Sequence, residues 1–564
     1  MYSRRKMLRR SLSLAATAYV STRLSGCALG TDTAALSAVE FSHGVASGDP
    51  EDDAVLLWTR AVPELNAANA EIGWEVASDP QFDRVLRSGR SSTSASRDFT
   101  VKVDVRELTP GSTFYYRFVG VNGSSPIGRA RTLPSGELEE LRLAVFSCSN
   151  YPAGYFHAYA NAAKRADIDA FVHLGDYYYE YGSGGYATER AGQLGRELSP
   201  DNSGELYTLD DYRRRYALYR SDTDLQALHA AAPMLAVWDD HEIANDTWRD
   251  GAENHSADEG DFGARRAAAV QAYFEWMPLR PIVPDSEGRI YRSFTFGDLV
   301  DLHMLDTRLT GRDKQLAYGE FFDEESGMIN ASAFAQALGA PDRSLLGDEQ
   351  RTWLYGALEA SEARWQVLGQ QVLMARMTLP APMLSQLFAG NGLEATAPLM
   401  EELLADKAGL AAGEALSEER RRRLATVLPY NLDAWDGYPA ERERLYAVAG
   451  RLEKELIVLA GDTHNAWYSE LRDGGGRRVG AELATSSVSS PGMESYLSLD
   501  DSSARMLERA MVGLIDELRY CDLKRRGYLE VSFRHSGCSA RWHLLDSVTE
   551  RRVSVESKEL QIRA

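Results

Sequence analysis

A chain of 564 residues, 44% hydrophobic and 26% charged, is longer than one ordinary domain and folds into a globular body of two or more. Its formal net charge of −21, with no basic stripe to neutralise a phosphate backbone, excludes a protein that coats nucleic acid. Any anionic small molecule it handles needs local cations or metals.

The chain opens on a basic, then weakly apolar tail, residues 1–27. Ser3, Arg4, Arg5, Lys6, Met7 and Leu8 are similar to a twin-arginine export signal. Leu24, Ser25, Gly26 and Cys27 are similar to a lipobox, in which cleavage leaves Cys27 lipidated as a membrane tether. Arg23, a charge close to that site, keeps simple release into the periplasm as the alternative. The apolar stretch is too short to span a bilayer.

Residues 38–133 read as short strands between turn residues, the pattern of a fibronectin- or immunoglobulin-like all-β sandwich. Val101, Val103 and Val105 alternate with Lys102, Asp104 and Arg106, which predicts one buried and one solvated face. A linker is expected over residues 131–137, and from 138 to 564 strands alternate with helical stretches, one beginning at Thr208, so this part is α/β.

Within it, six apolar runs each end in polar residues, most of them of metal-ligand type. The run from Leu141 ends in Cys148 and Asn150, that from Phe171 in Asp176 and Tyr179, and that from Met234 in Asp239, Asp240, His241 and Glu242. Later runs end in Asp306 and Arg308, in Gln370 and Gln371, and in Asp462, His464 and Asn465. Open α/β sheets build sites at the carboxy ends of their strands, so six converging loops of this kind predict a metal centre. Asp176 can bridge two cations, with Cys148, Tyr179 and His464 on one side and Asp240, Asp462 and Gln371 on the other. Thiolate and phenolate donors suit iron, a carboxylate set suits calcium or magnesium, and zinc fits either position. A paired centre activates water against a phosphoryl group. His241 is then placed to protonate a leaving oxygen, and Arg308 to offset phosphoryl charge.

Other features read as structural. His173 and His303 sit inside apolar strands as packed histidines, and Gly474, Gly475 and Gly476 form a hairpin turn. Residues 419–423 are a charged helix face. Residues 181–203, rich in glycine, follow the first metal loop as a rim or lid, and residues 377–423 read as peripheral helices. Cys521 and Cys538 could pair or remain thiols, with neither favoured by spacing.

The motifs GDYYY, GVASGDP, VLLWTR, WDDHE, LDTR, NLDAWDGYP and GDTHN together resemble the PhoD-like alkaline phosphatase and phosphodiesterase family, relatives of purple acid phosphatases. The resemblance runs from about Phe41 to the C-terminal hairpin. It implies a four-layer αββα metallophosphatase core behind the sandwich, with one iron held by Cys148, Asp176, Tyr179 and His464, and calcium held by Asp176, Asp240 and Asp462. It also implies hydrolysis of phosphate esters, with Asn150 and Arg308 as substrate-binding residues. The family's phospholipase D-type members offer a second activity. A surface binding protein with structural metals is the reading from another class, and the residues His241 and Arg308 argue against it, since a closed structural site has no use for them.

Overall fold

The computed structural model describes residues 35–64, 67–280, 289–322, 329–388 and 392–562. The expected export signal and Cys27 therefore lie outside the described residues. Two sheets stacked face to face with helices on both outer sides make the expected αββα layers.

The N-terminal region contributes strands β1 (Val45–Gly48), β2 (Val55–Arg60), β3 (Asn69–Ala77), β4 (Val85–Ser94), β5 (Thr100–Val105), β6 (Thr113–Gly120) and β7 (Gly128–Arg131). Val101, Val103 and Val105 of β5 are buried as their alternation predicts, and Asp104 and Arg106 are exposed. The sandwich is present, but one of its layers is shared. Strands β3, β4, β6 and β7 form their own sheet, whereas β1, β2 and β5 continue the first core sheet. Leu57, Val103, Ile72 and Phe118 belong to the cluster packed between these two layers.

The first core sheet adds β8 (Glu140–Phe146), β9 (Ala170–His173) and β10 (Met234–Ala236), which are mutually parallel. Helices α1 (His157–Ala163), α2 (Leu209–Arg220), α3 (Thr223–Ala231) and α4 (Phe262–Trp276) follow these strands in the chain. The helical stretch from Thr208 is two helices. Thr208 and Asp211 form a capping box that opens α2, and the Asp222 carboxylate accepts from Asp224 N and Leu225 N to start α3, which resets the helix axis.

The second sheet holds β11 (Arg292–Phe296), β12 (Val300–Met304), β13 (Trp365–Gly369), β14 (Leu456–Ala460), β15 (Ala466–Arg472), β16 (Arg478–Ala484) and β17 (Leu518–Asp522). Strands β12, β13, β14 and β16 run parallel. Leu354 of α5 (Gly347–Ala360), Leu403 of α6 (Gly392–Ala411), Leu445 of α7 (Pro439–Arg451) and Leu507 of α8 (Asp501–Leu514) pack with Leu368 and Val458 of this sheet. Residues 377–423 are largely helical, as expected, and the charged stretch there is paired: Arg423 bridges to Glu402 and Arg420 to Asp406. The chain returns to the first sheet with β18 (Arg526–Arg534), β19 (Gly537–Leu545) and β20 (Val555–Ile562), giving the nine-strand order β20-β19-β18-β8-β9-β10-β1-β2-β5.

The two sheets touch directly. Thr485 Oγ1 donates to Val145 O at 3.0 Å, and Trp542 Nε1 donates to Ala484 O at 2.9 Å. Gly461 lets them close, because a Cβ there would stand 2.8 Å from the Ser147 side chain. Parallel strands of both sheets thus send their carboxy ends to neighbouring loops. Cys521 on β17 and Cys538 on β19 are buried, unpaired thiols in different sheets. Among the described residues no helix is long and apolar enough to cross a membrane.

Candidate metal centre

The strand-end loops turn sharply, and they do so with residues that are not glycine. Cys148, Asp176, Asp462 and His464 have φ of 61°, 51°, 63° and 63°, left-handed values that cost about 1–3 kcal/mol each and concentrate at functional sites. Four of the seven expected ligands carry this strain. Gly175 makes one of the turns possible: its φ is 99°, and a Cβ would lie 2.3 Å from Asp239 N, so only glycine lets the loops after β9 and β10 meet.

The donors converge in two groups, Cys148 with Asp176 and His464, and Asp176 with Asp240 and His241, each with one donor atom per residue and all of them within 4.8 Å of one another. Asp176 belongs to both, the place expected of a bridge. Tyr179 joins the first group, its hydroxyl 3.3 Å from Asp176 Oδ2 and 3.0 Å from His464 Nε2. His464 Nδ1 donates to Pro491 O at 2.6 Å, which leaves the Nε2 lone pair facing the site, and burial holds the ring neutral with a pKa near 3. A neutral imidazole anchored through its other nitrogen is the form that ligates metals.

The acidic groups do not balance without cations. Burial, then the nearby Asp176 carboxylate, push the Cys148 thiol far up. Burial and then Asp176 and Cys148 do the same to the Tyr179 phenol. Burial, reinforced by Asp239, Asp240 and Glu242 and opposed by His241, raises Asp176. A bound cation reverses each of these shifts. Asp176 Oδ1, Asp239 Oδ2 and both ends of the Asn150 amide are buried with no hydrogen-bond partner, which is costly unless something absent from the chain itself satisfies them. The residues therefore fit a metal pair.

Asp462 lies beside Arg308, its Oδ1 3.5 Å from Nη2, and the second donor group contains His241 in its place. Gln371 corrects the expectation of a ligand. Its Nε2 donates to Trp238 O at 2.6 Å and Leu305 O at 3.0 Å, and its Oε1 accepts from Thr307 Oγ1 at 2.6 Å. The amide is spent on bracing three loops. Arg308 also differs from expectation. Its guanidinium is fully buried, with Nε on Asp239 and Nη1 2.9 Å from Asp433, while Nη2 lies 3.8 Å from Asp240. Four carboxylate neighbours, Asp239, Asp240, Asp433 and Asp462, and full burial make it a brace for ligand carboxylates, and only Nη2, 3.5 Å or more from Asp240 and Asp462, remains for a phosphoryl oxygen. His173 and His303 are the packed histidines expected, bonded to Tyr159 and Ser293.

Several supporting roles escaped sequence reasoning, where Glu242 is only a strand-end carboxylate. Glu180, fully buried, accepts from His241 Nδ1 at 2.7 Å, Asn245 N at 2.8 Å and Asn254 Nδ2 at 2.8 Å. Burial alone would lower the His241 pKa, but Asp240, Glu180 and Asp176 outweigh it and push it up. Glu242 accepts from Asp176 N at 3.0 Å, Tyr177 N at 2.5 Å and Asp239 N at 2.7 Å, tying two ligand loops together. Ser490, beyond β16, donates to the Tyr179 hydroxyl at 2.7 Å. The rim expected over residues 181–203 supplies Tyr186, whose ring stacks on His464 with centroids 6.2 Å apart.

Known proteins resemble this chain in sequence and fold. The PhoD-like phosphatase family model matches residues 143–542, and the model of that family's N-terminal domain matches residues 26–134. Alkaline phosphatase D of Bacillus subtilis (strain 168) is 34% identical over 473 residues, which cover 81% of this chain and 70% of that protein. A solved structure of PhoD superposes with a TM-score of 0.72 at 29% identity, over 94% of this chain and 92% of that one. The chain belongs to the PhoD-like phosphatase family and is a phosphoric ester hydrolase.

Proposed function

We propose that the chain is an exported, metal-dependent phosphoesterase acting on phosphomonoesters and phosphodiesters. The observation that carries this is the pair of donor groups sharing Asp176. On this reading Cys148, Asp176, Tyr179 and His464 hold iron, and Asp176, Asp240 and Asp462 hold calcium. Soft and phenolate donors on one side and carboxylates on the other support that division. Metals bound there supply Lewis-acid activation of water and neutralise phosphoryl charge.

The remaining chemistry belongs to the chain. The Asn150 amide, buried and without a partner, donates to a phosphoryl oxygen, Arg308 Nη2 offsets phosphoryl charge, and Arg308 Nε and Nη1 hold Asp239 and Asp433 behind it. His241, held through Nδ1 by Glu180, gives its proton from Nε2 to the departing oxygen. Metal analysis joined to a phosphate-release assay on the purified protein tests the reading. Cys148→Ala is expected to lose iron and any thiolate- or phenolate-to-metal absorption band. A variant with full metal content and unchanged colour would show the assignment mistaken.

Export rests on Arg4 and Arg5 before a weakly apolar segment. The twin-arginine machinery carries folded proteins, which suits one loaded with metal before export to the periplasm or cell surface, and Cys27 is the candidate lipid anchor. Replacing both arginines by lysine should leave the protein in the cytoplasm. Unaltered secretion of that variant would remove the proposal.

A further inference from the structure

Beside the metal loops lies a cavity of about 590 Å³ that none of the chemistry above uses. Its size falls in the range of small-molecule sites. Its inner end is built from Asp246 and Asp433. Asp246 N donates to Asp240 Oδ2 at 2.6 Å, and Asp433 holds Arg308, so the cavity begins where the ligand carboxylates end. The segment that carries His241 runs straight on into its wall at Asp246 and Trp248.

In-line displacement puts the leaving oxygen opposite the attacking water, next to the acid. If His241 is that acid, as proposed above, the leaving alcohol departs on the side where this wall begins. The wall has a definite chemistry. Trp248, Tyr318 and Tyr430 are among its lining residues, and the Tyr318 ring is backed by Phe334 with centroids 5.1 Å apart. Gln315 Nε2 donates to Asp246 O at 3.2 Å, and its Oε1 is buried with no donor. An acceptor in that state calls for an N–H or O–H from a ligand. Carboxylates outnumber cations on the lining: Asp246 and Glu253 stand there with Asp433, which is itself paired with Arg308 and Arg312, while its one lysine, Lys314, lies 3.7 Å from Glu320 and 5.6 Å from the centre of the Trp248 ring. A second negative charge on the alcohol would be repelled.

We infer that this cavity is the leaving-group subsite and that it takes an uncharged, ring-bearing alcohol carrying a hydrogen-bond donor, of which a nucleoside is the simplest case. The inference rests on the hydrolase reading and on the acid role of His241, and the experiment separates them. The metal-loaded full chain is assayed for phosphate release from adenosine 5′-monophosphate, methyl phosphate and 3-phosphoglycerate, and adenosine alone is titrated by calorimetry. The wild type should favour adenosine monophosphate over both other esters. Gln315→Leu and, separately, Trp248→Ala should each lower the ratio of kcat/KM for adenosine monophosphate to that for methyl phosphate by about tenfold, the scale of one buried hydrogen bond or ring contact. Adenosine should bind the wild type and bind the Gln315→Leu variant more weakly. An unchanged ratio in both variants, or methyl phosphate hydrolysis without adenosine binding, overturns the subsite and leaves the hydrolase reading standing. Adenosine binding without release of phosphate from any ester sinks the hydrolase reading instead, and with it the leaving-group role of the cavity.

Discussion

Asp176→Asn is expected to lose both metals and to cut phosphate release by about 10³-fold or more, the upper end of what one preorganised electrostatic group contributes. Asp176 belongs to both donor groups, so its loss cannot be confined to one side. Asparagine is the informative replacement because it tolerates the left-handed φ of 51° at this position about as well as aspartate does. It also keeps the shape of the side chain near Cys148 and Tyr179. The change therefore removes charge and leaves the backbone alone. Asp462→Asn is the companion measurement. Asp462 stands in neither donor group and lies against Arg308; on the calcium role proposed for it, iron should survive its loss and calcium should fall. Metal content and rate measured on both variants decide the matter: an Asp176→Asn protein that retains both ions is incompatible with a bridge.

The strand ends were legible because a buried parallel strand writes its signature locally. An apolar run that stops on Asp, His or Cys needs no knowledge of the partner strand, and the runs ending at Cys148, Asp176, Asp240 and His464 do meet in space. What was not legible depends on partners far away in sequence. Gln371 sits at a strand end like the true donors, but Trp238 and Leu305, from other loops, consume its amide. Arg308 looked available for substrate until Asp433, from the NLDAWDGYP stretch, was found holding it. The sandwich strands continue the core sheet through one parallel pairing, Gly48 with Met234, which no periodicity reports. Glu180 follows a tyrosine ligand and could have been suspected on that ground. Ser490 ends a seventh strand loop whose serines carry no metal-ligand signal.

His241→Ala is expected to slow hydrolysis of alkyl phosphodiesters by about 10²–10⁴-fold, the range for a positioned general acid, and to affect nitrophenyl esters much less, since nitrophenolate departs without a proton. The geometry sharpens this test, because His241 stands in one donor group with Asp176 and Asp240 and is thus also close enough to be a ligand. Its Nδ1 is committed to Glu180 at 2.7 Å, an arrangement that serves an acid and a ligand equally well. Leaving-group dependence and metal content together distinguish them. An acid loses rate only where the leaving oxygen is basic and leaves the metals in place, whereas a ligand loses metal and slows both ester types alike. Glu180→Gln adds an independent reading, since it preserves volume and the contact to Asn254 while removing the charge that favours the imidazolium. As an acid's partner it should reproduce the alkyl-selective loss in weaker form with full metal content. Equal losses on both ester types in the two variants, with metal released, would transfer His241 from proton donor to ligand.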